Sequence, residues 1–460
     1  MKNKKFAMFA TIFALAWPTM LEQLMQTAVQ YIDTAMVGSL GTQAMAAAGA
    51  TSTVNWLVSS TVSSIGVGFL AYISQAFGAG EGEKAKRASA QAVTVTVIIG
   101  IIITVITTSL SGVIPVWMQV DPSVCDMASR YFLILYSPML FRSASIIFGT
   151  VLRSAGDTKT PMRAGIAVNI INTVLNFLFI YQPREVVIFG EKIWLWGAGW
   201  GIEGAAIASA IAYTIGGTVI TVALWKHDKV SPKKCSFLPN GEILKRCMRV
   251  AAPNMLQRFA TSFGYVVFAS MINALGDVST AAHTVANTVE SAFYIPGWGM
   301  QTAAATLAGN AYGARDNDKL KSLSKSVMAI EVGLMLISGG LLFAFAEPLV
   351  KLFSHDTEVI KLGTTVLKMV AVSEPFYGVP IVIEGIMQGV GKTVAPLVCN
   401  ITGMWCVRIA GTFVCTRLLG LGLTSAWGCM IAHNMLLFVL FGIYFITGKW
   451  NPMREVSKKL

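Results

Sequence analysis

Charged side chains are scarce in this chain. Asp, Glu, Lys and Arg make up 13% of its 460 residues, about half of the ~25% usual in soluble domains. The deficit runs over the whole length and excludes an ordinary soluble fold, and no stretch reads as a separate soluble domain. Cysteine pairing is missing too. The seven cysteines (Cys125, Cys235, Cys247, Cys399, Cys406, Cys415, Cys429) form no CxxC pair and no metal-ligand spacing. Neither a disulfide framework nor a metal site is expected. A nucleotide loop is lacking as well. Gly389-Val390-Gly391-Lys392-Thr393 resembles the end of one, but the upstream glycine that the pattern needs is Ile386. This segment and Ser154-Ala155-Gly156-Asp157-Thr158 read as tight turns before a proline, so an ATP-driven pump is not expected. No catalytic constellation emerges, and the chain does not read as an enzyme.

What the chain has instead is apolar length. Hydrophobic residues make up 54%, and a bilayer-spanning helix needs about 20 mostly apolar residues. Twelve such runs are read: 8–38, 44–76, 90–115, 130–152, 163–181 and 200–225, then 244–274, 279–311, 323–346, 364–389, 395–417 and 422–447. The expected fold is an all-α membrane protein of twelve transmembrane helices. The net charge of +12 would suit nucleic acid if it were clustered on a soluble face. It lies instead in short loops, such as Lys84-Ala85-Lys86-Arg87, Arg153 to Arg163, Lys226 to Arg249 and Arg315 to Lys325. No nucleic-acid partner is expected. By the positive-inside rule these loops and both termini face the cytoplasm, in the plasma (inner) membrane. The start, Lys2-Asn3-Lys4-Lys5 and then Phe6 to Met20, imitates a signal peptide. The apolar run continues past Trp17-Pro18, however, so cleavage is not expected.

The runs repeat. Pro18-Thr19-Met20-Leu21 matches Pro253-Asn254-Met255-Leu256 at an offset of 253 − 18, or 235. The same offset relates Gln75-Ala76-Phe77-Gly78-Ala79 to Asn310-Ala311-Tyr312-Gly313-Ala314, and Pro161 to Pro396. A duplicated hydrophobic chain suggests a transporter built from two halves with a central site. Six spans per half give both halves one orientation, so two six-helix bundles related by a pseudo-twofold axis along the membrane normal are expected. They occupy 1–225 and 244–460 (the latter with a short basic tail), joined by a cytoplasmic linker at 226–243. Late in the chain the offset shortens, which leaves extra sequence in an external hairpin at 182–199.

Polar residues inside the runs are candidates for function. Asp33 lies between Tyr31 and Met36, where a carboxylate costs about 2.5–3.5 kcal/mol on insertion scales. Asn169, Asn172 and Asn176 share one helix face at spacings of three and four. Glu290, Glu331 and Glu384 fall in apolar runs of the second half, Glu384 near the Gln388 turn where it reaches toward cytoplasmic water. Arg142 and Arg408 lie inside the fourth and eleventh runs. Each is expected either to pair with a carboxylate or to extend toward water along a crevice.

Taken in order, several segments carry a family resemblance. They are Asp33-Thr34-Ala35-Met36-Val37-Gly38, Gln75-Ala76-Phe77-Gly78-Ala79, Arg153-Ser154-Ala155-Gly156-Asp157-Thr158 with Pro161, and Gly204-Ala205-Ala206-Ile207-Ala208-Ser209. Ala281-Ala282-His283-Thr284-Val285-Ala286-Asn287, Glu290 and Pro296-Gly297 complete the set. The chain resembles the multidrug and toxic compound extrusion (MATE) transporters, bacterial type, over nearly its whole length. The resemblance implies a secondary antiporter without bound cofactor, working as a monomer in the lipid bilayer and exporting amphipathic, often cationic drugs. It places Asp33, Asn172, Asn176 and Ser209 at the ion-coupling site and marks Glu290 as a second-half candidate. Met25, Tyr31, Met36, Trp56, Phe263, Tyr265, Tyr294 and Trp298 fall in cavity-forming spans, where methionine and aromatic rings suit varied organic cations.

The chain also departs from the family. Many relatives carry a second carboxylate where this chain has Asn176. The glutamate and aspartate of a second-half sodium site are missing near Thr261 and Tyr377. A single carboxylate among amides can take up a proton, so a proton is the favoured coupling ion and sodium the alternative. A lipid-linked saccharide flippase is the competing reading. It would need a strongly basic cavity, whereas the charges here are mixed and carboxylates lead.

Overall fold

The computed structural model describes residues 2–118, 120–188 and 191–454. The protein is all-α apart from one hairpin. Helices α1 (Lys2–Gly38) and α2 (Thr42–Gly78) are 37 residues each. At 1.5 Å per residue each exceeds the ~30 Å hydrocarbon core. There follow α3 (Gly82–Ser109), a single turn α4 (Ile114–Trp117), α5 (Pro122–Tyr136), α6 (Met139–Ser154) and α7 (Lys159–Ile180). Strands β1 (Arg184–Ile188) and β2 (Glu191–Leu195) pair antiparallel, Arg184 opposite Leu195 and Ile188 opposite Glu191. The extra sequence at 182–199 is therefore a two-stranded hairpin. Then come α8 (Gly201–Lys226), α9 (Gly241–Asn273), α10 (Asp277–Phe293), α11 (Ile295–Gly313), α12 (Asn317–Lys351) and α13 (Thr357–Val390). The last span but one starts as α14 (Val394–Ile401). It continues as wider π-helix over Thr402–Ile409, a short α15 (Ala410–Phe413) and a second π stretch, Val414–Leu418. Helix α16 (Leu423–Ile446) completes the series.

Among the described residues, nine helices are long and apolar enough to cross a bilayer, and the bent pair α5–α6 makes a tenth. The bend of 48° lies between Tyr136 and Met139, where Pro138 lacks the N–H that a straight helix would use. The sequence run 130–152 was thus one span with a break in it. The remaining two expected spans are helical but less apolar. Helix α9 carries Lys245, Arg246, Arg249, Gln257 and Arg258. Run 279–311 is interrupted at Tyr294, just before Pro296 at the start of α11. Exposed side chains on α3, among them Ile98, Ile101, Ile102, Val105 and Ile106, are apolar, as a lipid-facing helix requires.

Contacts divide the chain into two compact units. A first unit comprises Leu21–Phe69 and Gly82–Leu244, and a second comprises Met1–Met20, Leu70–Glu81 and Lys245–Leu460. This boundary differs from the repeat boundary: the N-terminal part of α1 and the last part of α2 group with the second half. The division in α1 falls just after Pro18, which interrupts that helix's hydrogen-bond ladder.

Each unit has its own packing. In the first, Met36, Val37, Ala44, Ala47, Val124 and Ala128 form one buried cluster. Ile114, Phe132, Tyr136 and Met139 form another. In the second, Phe268, Leu342, Val370 and Trp427 form one buried cluster. Ile12, Ala16, Met300, Ala304, Val382 and Phe441 form the other.

One close helix crossing in the second unit uses the repeat. A Cβ placed on Gly78 of α2 would overlap the Asn310 carbonyl oxygen, and one on Gly313 of α11 would overlap the Gln75 carbonyl oxygen. The offset of 235 carries one contact into the other, since it takes Gly78 to Gly313 and Gln75 to Asn310. Backbone lies directly on backbone there, so only glycine fits. Gln75 adds a hydrogen bond from Nε2 to the Gly389 carbonyl oxygen, 2.8 Å.

Candidate functional site

In the first unit three helices bring Asp33, Asn172, Asn176 and Ser209 together. Asp33 lies on α1 five residues before its end at Gly38. Asn172 and Asn176 stand one turn apart on α7, and Ser209 sits in the third turn of α8. Both asparagines are buried, and Asp33 and Ser209 are half-buried. Asn176 Nδ2 donates to Asp33 Oδ1 at 2.6 Å. Asn176 Oδ1 is sealed from the surface without a partner, a state that costs about 1–3 kcal/mol. Asn169, the third amide of the sequence pattern, takes no part in this cage; its backbone oxygen accepts from Thr173.

Two orientations of the Asn172 amide suit these surroundings. In one, Nδ2 donates to Ser209 Oγ at 3.1 Å and Oδ1 accepts from Asn176 Nδ2 at 3.3 Å. That orientation aims an amide oxygen at the carboxyl group. Turned over, Nδ2 donates to Asp33 Oδ2 at 3.0 Å and Oδ1 at 3.2 Å, while the amide oxygen accepts from Ser209 Oγ at 3.1 Å. A charged carboxylate selects the second, because it accepts only. A protonated carboxyl group selects the first, because its O–H can then donate to the amide oxygen. Among the described residues no group of three His, Cys, Asp or Glu is placed to hold a metal ion.

Glu290 belongs to the second unit. It is buried and accepts a hydrogen bond from the Tyr294 hydroxyl one turn away. Two more carboxylates are buried in that unit, Glu331 and Glu374, and all four of their oxygens lack partners. In the sequence Glu374 is marked only as a carboxylate in an apolar run beside Pro375, and it is not among the candidates named above. Glu384 is half-buried. It accepts from Gln257 Nε2 at 3.0 Å, Gln388 Nε2 at 3.1 Å and Asn400 Nδ2 at 3.1 Å.

The repeat offset finds the counterpart of this last group in the first unit. Gln257 and Gln388 correspond to Glu22 and Arg153, which form an ion pair of 2.6 Å. Glu384 and Asn400 correspond to Gly149 and Gly165, and these two glycines lie against Arg153 and Glu22 respectively. Hydrogen bonding at one locus is therefore satisfied in two ways. In one copy two charges meet across space left by glycines. In the other, Glu384 and Asn400 stand at the glycine positions, and Glu384 accepts from both glutamines and from Asn400.

The cavity candidates are spread over both units. In the first, Tyr31 and Trp56 are exposed and Met25 is half-buried. Met36 is buried in the cluster with Val37 and Ala44, because its side of α1 packs on α2. In the second, Phe263, Tyr265 and Trp298 are exposed, while Tyr294 is half-buried and engaged with Glu290. Arg408 is buried, its guanidinium carbon 4.2 Å from the Phe268 ring centre and 4.8 Å from that of Tyr265.

Comparison with known proteins agrees with this architecture. The MatE family model matches residues 18–178 and 253–414, once in each half. The chain belongs to the MatE family. It is accordingly a multi-pass membrane transporter and not an enzyme. Among curated relatives it is similar to the "Probable multidrug resistance protein NorM" of Thermotoga maritima, 26% identical over 97% of this chain and 94% of that one. It is also similar to the "Probable multidrug resistance protein YpnP" of Bacillus subtilis, 25% identical over 96% of each. Among solved structures, that of a MATE protein in complex with MaL6 superposes with a TM-score of 0.88 at 21% identity, covering 97% of both chains. That likeness shows the fold.

Proposed function

We propose that this MatE protein is a secondary antiporter that exports amphipathic, often cationic compounds in exchange for a proton. The Asp33 cage carries the reading: a single carboxylate held by neutral amides. Position 176, where the family resemblance leads one to expect a second carboxylate, holds an amide. A proton needs no more than Asp33 and a neighbour that can accept from it, and Asn172 is such a neighbour. Uptake of a proton turns the Asn172 amide from Asp33 toward Asn176 and Ser209. The bonds linking α1, α7 and α8 then change while the backbone stays in place. Coupling follows if the two arrangements differ in affinity for the exported compound. The names of the multidrug-resistance relatives support the class of cargo. The deciding measurement is ethidium efflux from vesicles under separately imposed proton and sodium gradients. Efflux that follows the proton gradient alone is expected. Efflux that follows sodium at constant pH would reassign the ion, and none under either gradient would reject the antiporter.

The same reading places the protein in the inner membrane with both termini and the 226–243 segment in the cytoplasm, because basic residues concentrate there. A cysteine at Asp228, with the other cysteines removed, is expected to react only with membrane-permeant thiol reagents. Ready reaction from outside the cell would invert the orientation.

A further inference from the structure

An arginine sits in the middle of a span of the first unit, and among the described residues no carboxylate pairs with it. Arg142 lies on α6 just beyond the bend at Pro138. Its Nη2 donates to Ser59 Oγ at 2.8 Å and its Nη1 to Asn55 Oδ1, both on α2. The guanidinium carbon stands 4.6 Å from the centre of the Tyr213 ring on α8. These partners orient the group, and none of the three carries a negative charge. The side chain is half-buried, and none of its remaining N–H groups is a sealed, unpartnered donor. A guanidinium has five N–H donors in a planar fork suited to a carboxylate. From Arg142 to the helix end at Ser154 is 154 − 142, or 12 residues, about 18 Å along a helix. Arg142 therefore lies inside the bent α5–α6 pair, away from both of its ends. A charge so placed marks a functional site unless a partner neutralises it.

The repeat shows that the helix packing does not require this charge. Asn55, Ser59 and Arg142 correspond, at the offset of 235, to Glu290, Tyr294 and Tyr377. Those three residues also cluster: Tyr294 donates to Glu290, and the Tyr294 and Tyr377 rings lie 5.1 Å apart. The locus thus carries a guanidinium in one copy and a carboxylate in the other.

We propose that Arg142 sets specificity among transported compounds, as the subsite that binds the carboxylate of those that carry one. The proposal rests on the transporter reading and adds a specificity-determining residue to it. Rhodamine B and its ethyl ester test it, since they share one cationic ring system and only the first has a free carboxylate. Binding to the purified full-length protein is read by fluorescence anisotropy. The wild type is expected to bind the acid about tenfold more tightly than the ester, relative to Arg142→Gln, in which the two bind alike. The loss should fall on the acid, with affinity for the ester unchanged within about twofold, which also reports that the variant is folded. Arg142→Lys should retain part of the preference. Equal weakening of both dyes would assign Arg142 a packing role and overturn the subsite, as would an unchanged affinity for the acid. Displacement of the acid by phosphatidylglycerol added to the detergent would assign the arginine to lipid phosphate and overturn it too. Ethidium efflux from vesicles separates the two levels: efflux without binding of the acid rejects the subsite alone, whereas no efflux rejects the transporter reading with it.

Discussion

Asp33→Asn is expected to reduce gradient-driven efflux to the rate of protein-free vesicles while leaving the protein folded and able to bind cargo. The substitution is nearly isosteric. The new amide oxygen still accepts from Asn176 Nδ2, as Asp33 Oδ1 does at 2.6 Å, so the cage keeps its shape. What disappears is the second state. The wild-type group alternates between accepting from Asn172 and donating to it. The amide is neutral at every pH and holds the arrangement of the protonated carboxyl group. A coupling group locked in one state transmits nothing, however well the cargo binds. Binding of ethidium to the purified variant, beside efflux from vesicles, separates lost coupling from lost folding. Efflux at the wild-type rate would remove Asp33 from the coupling role and make Glu290 the leading candidate.

A second large effect is expected at the helix crossing. Valine at Gly78 or at Gly313 places side-chain carbons on a backbone carbonyl, Asn310 in the first case and Gln75 in the second. Side chains yield to overpacking by changing rotamer, but a helical carbonyl yields only if the helix moves. Overpacking of even flexible neighbours costs about 1–3 kcal/mol, so a larger loss is expected here. Each valine variant should melt several degrees below the wild type in detergent and lose efflux. Because both residues serve one crossing, the double variant should be much less than additive. Gly82→Ala is the control. Its Cβ would meet nothing within 4 Å, so its melting temperature and efflux should match the wild type. If Gly78→Val melts and transports like Gly82→Ala, the helix ends do not cross closely in the working protein.

The spans were legible in the sequence because apolar length is an additive signal that survives uncertain boundaries. The repeat was legible because an offset is arithmetic. Breaks inside spans were not. Pro138 and Pro296 each sit in a continuous apolar run, and whether a helix bends there depends on what packs against it. The π-helical stretch Thr402–Ile409 has no compositional mark at all. The Asp33 site was assembled by family resemblance from three distant segments, and geometry then supplied what resemblance could not, the choice of orientation at Asn172. The Arg142 partners were out of reach, since Asn55 and Ser59 look like ordinary small polar residues on α2 until α6 is laid beside them. The amide partner of Glu384 was out of reach for a similar reason, since nothing in the sequence marks Asn400, sixteen residues on, as its neighbour.

The Glu22–Arg153 pair and its amide counterpart have a consequence for the chain's history. Two copies that began identical now balance one locus by different means. Reversal of the first arrangement would have to remove an anion and a cation together, since losing either alone strands a charge in a half-buried position. The second copy has its own lock, because Glu384 is held by three amides from Gln257, Gln388 and Asn400. Each lock is harder to undo than it was to form. Divergence at this locus therefore works as a ratchet, and at this position neither half can any longer stand in for the other.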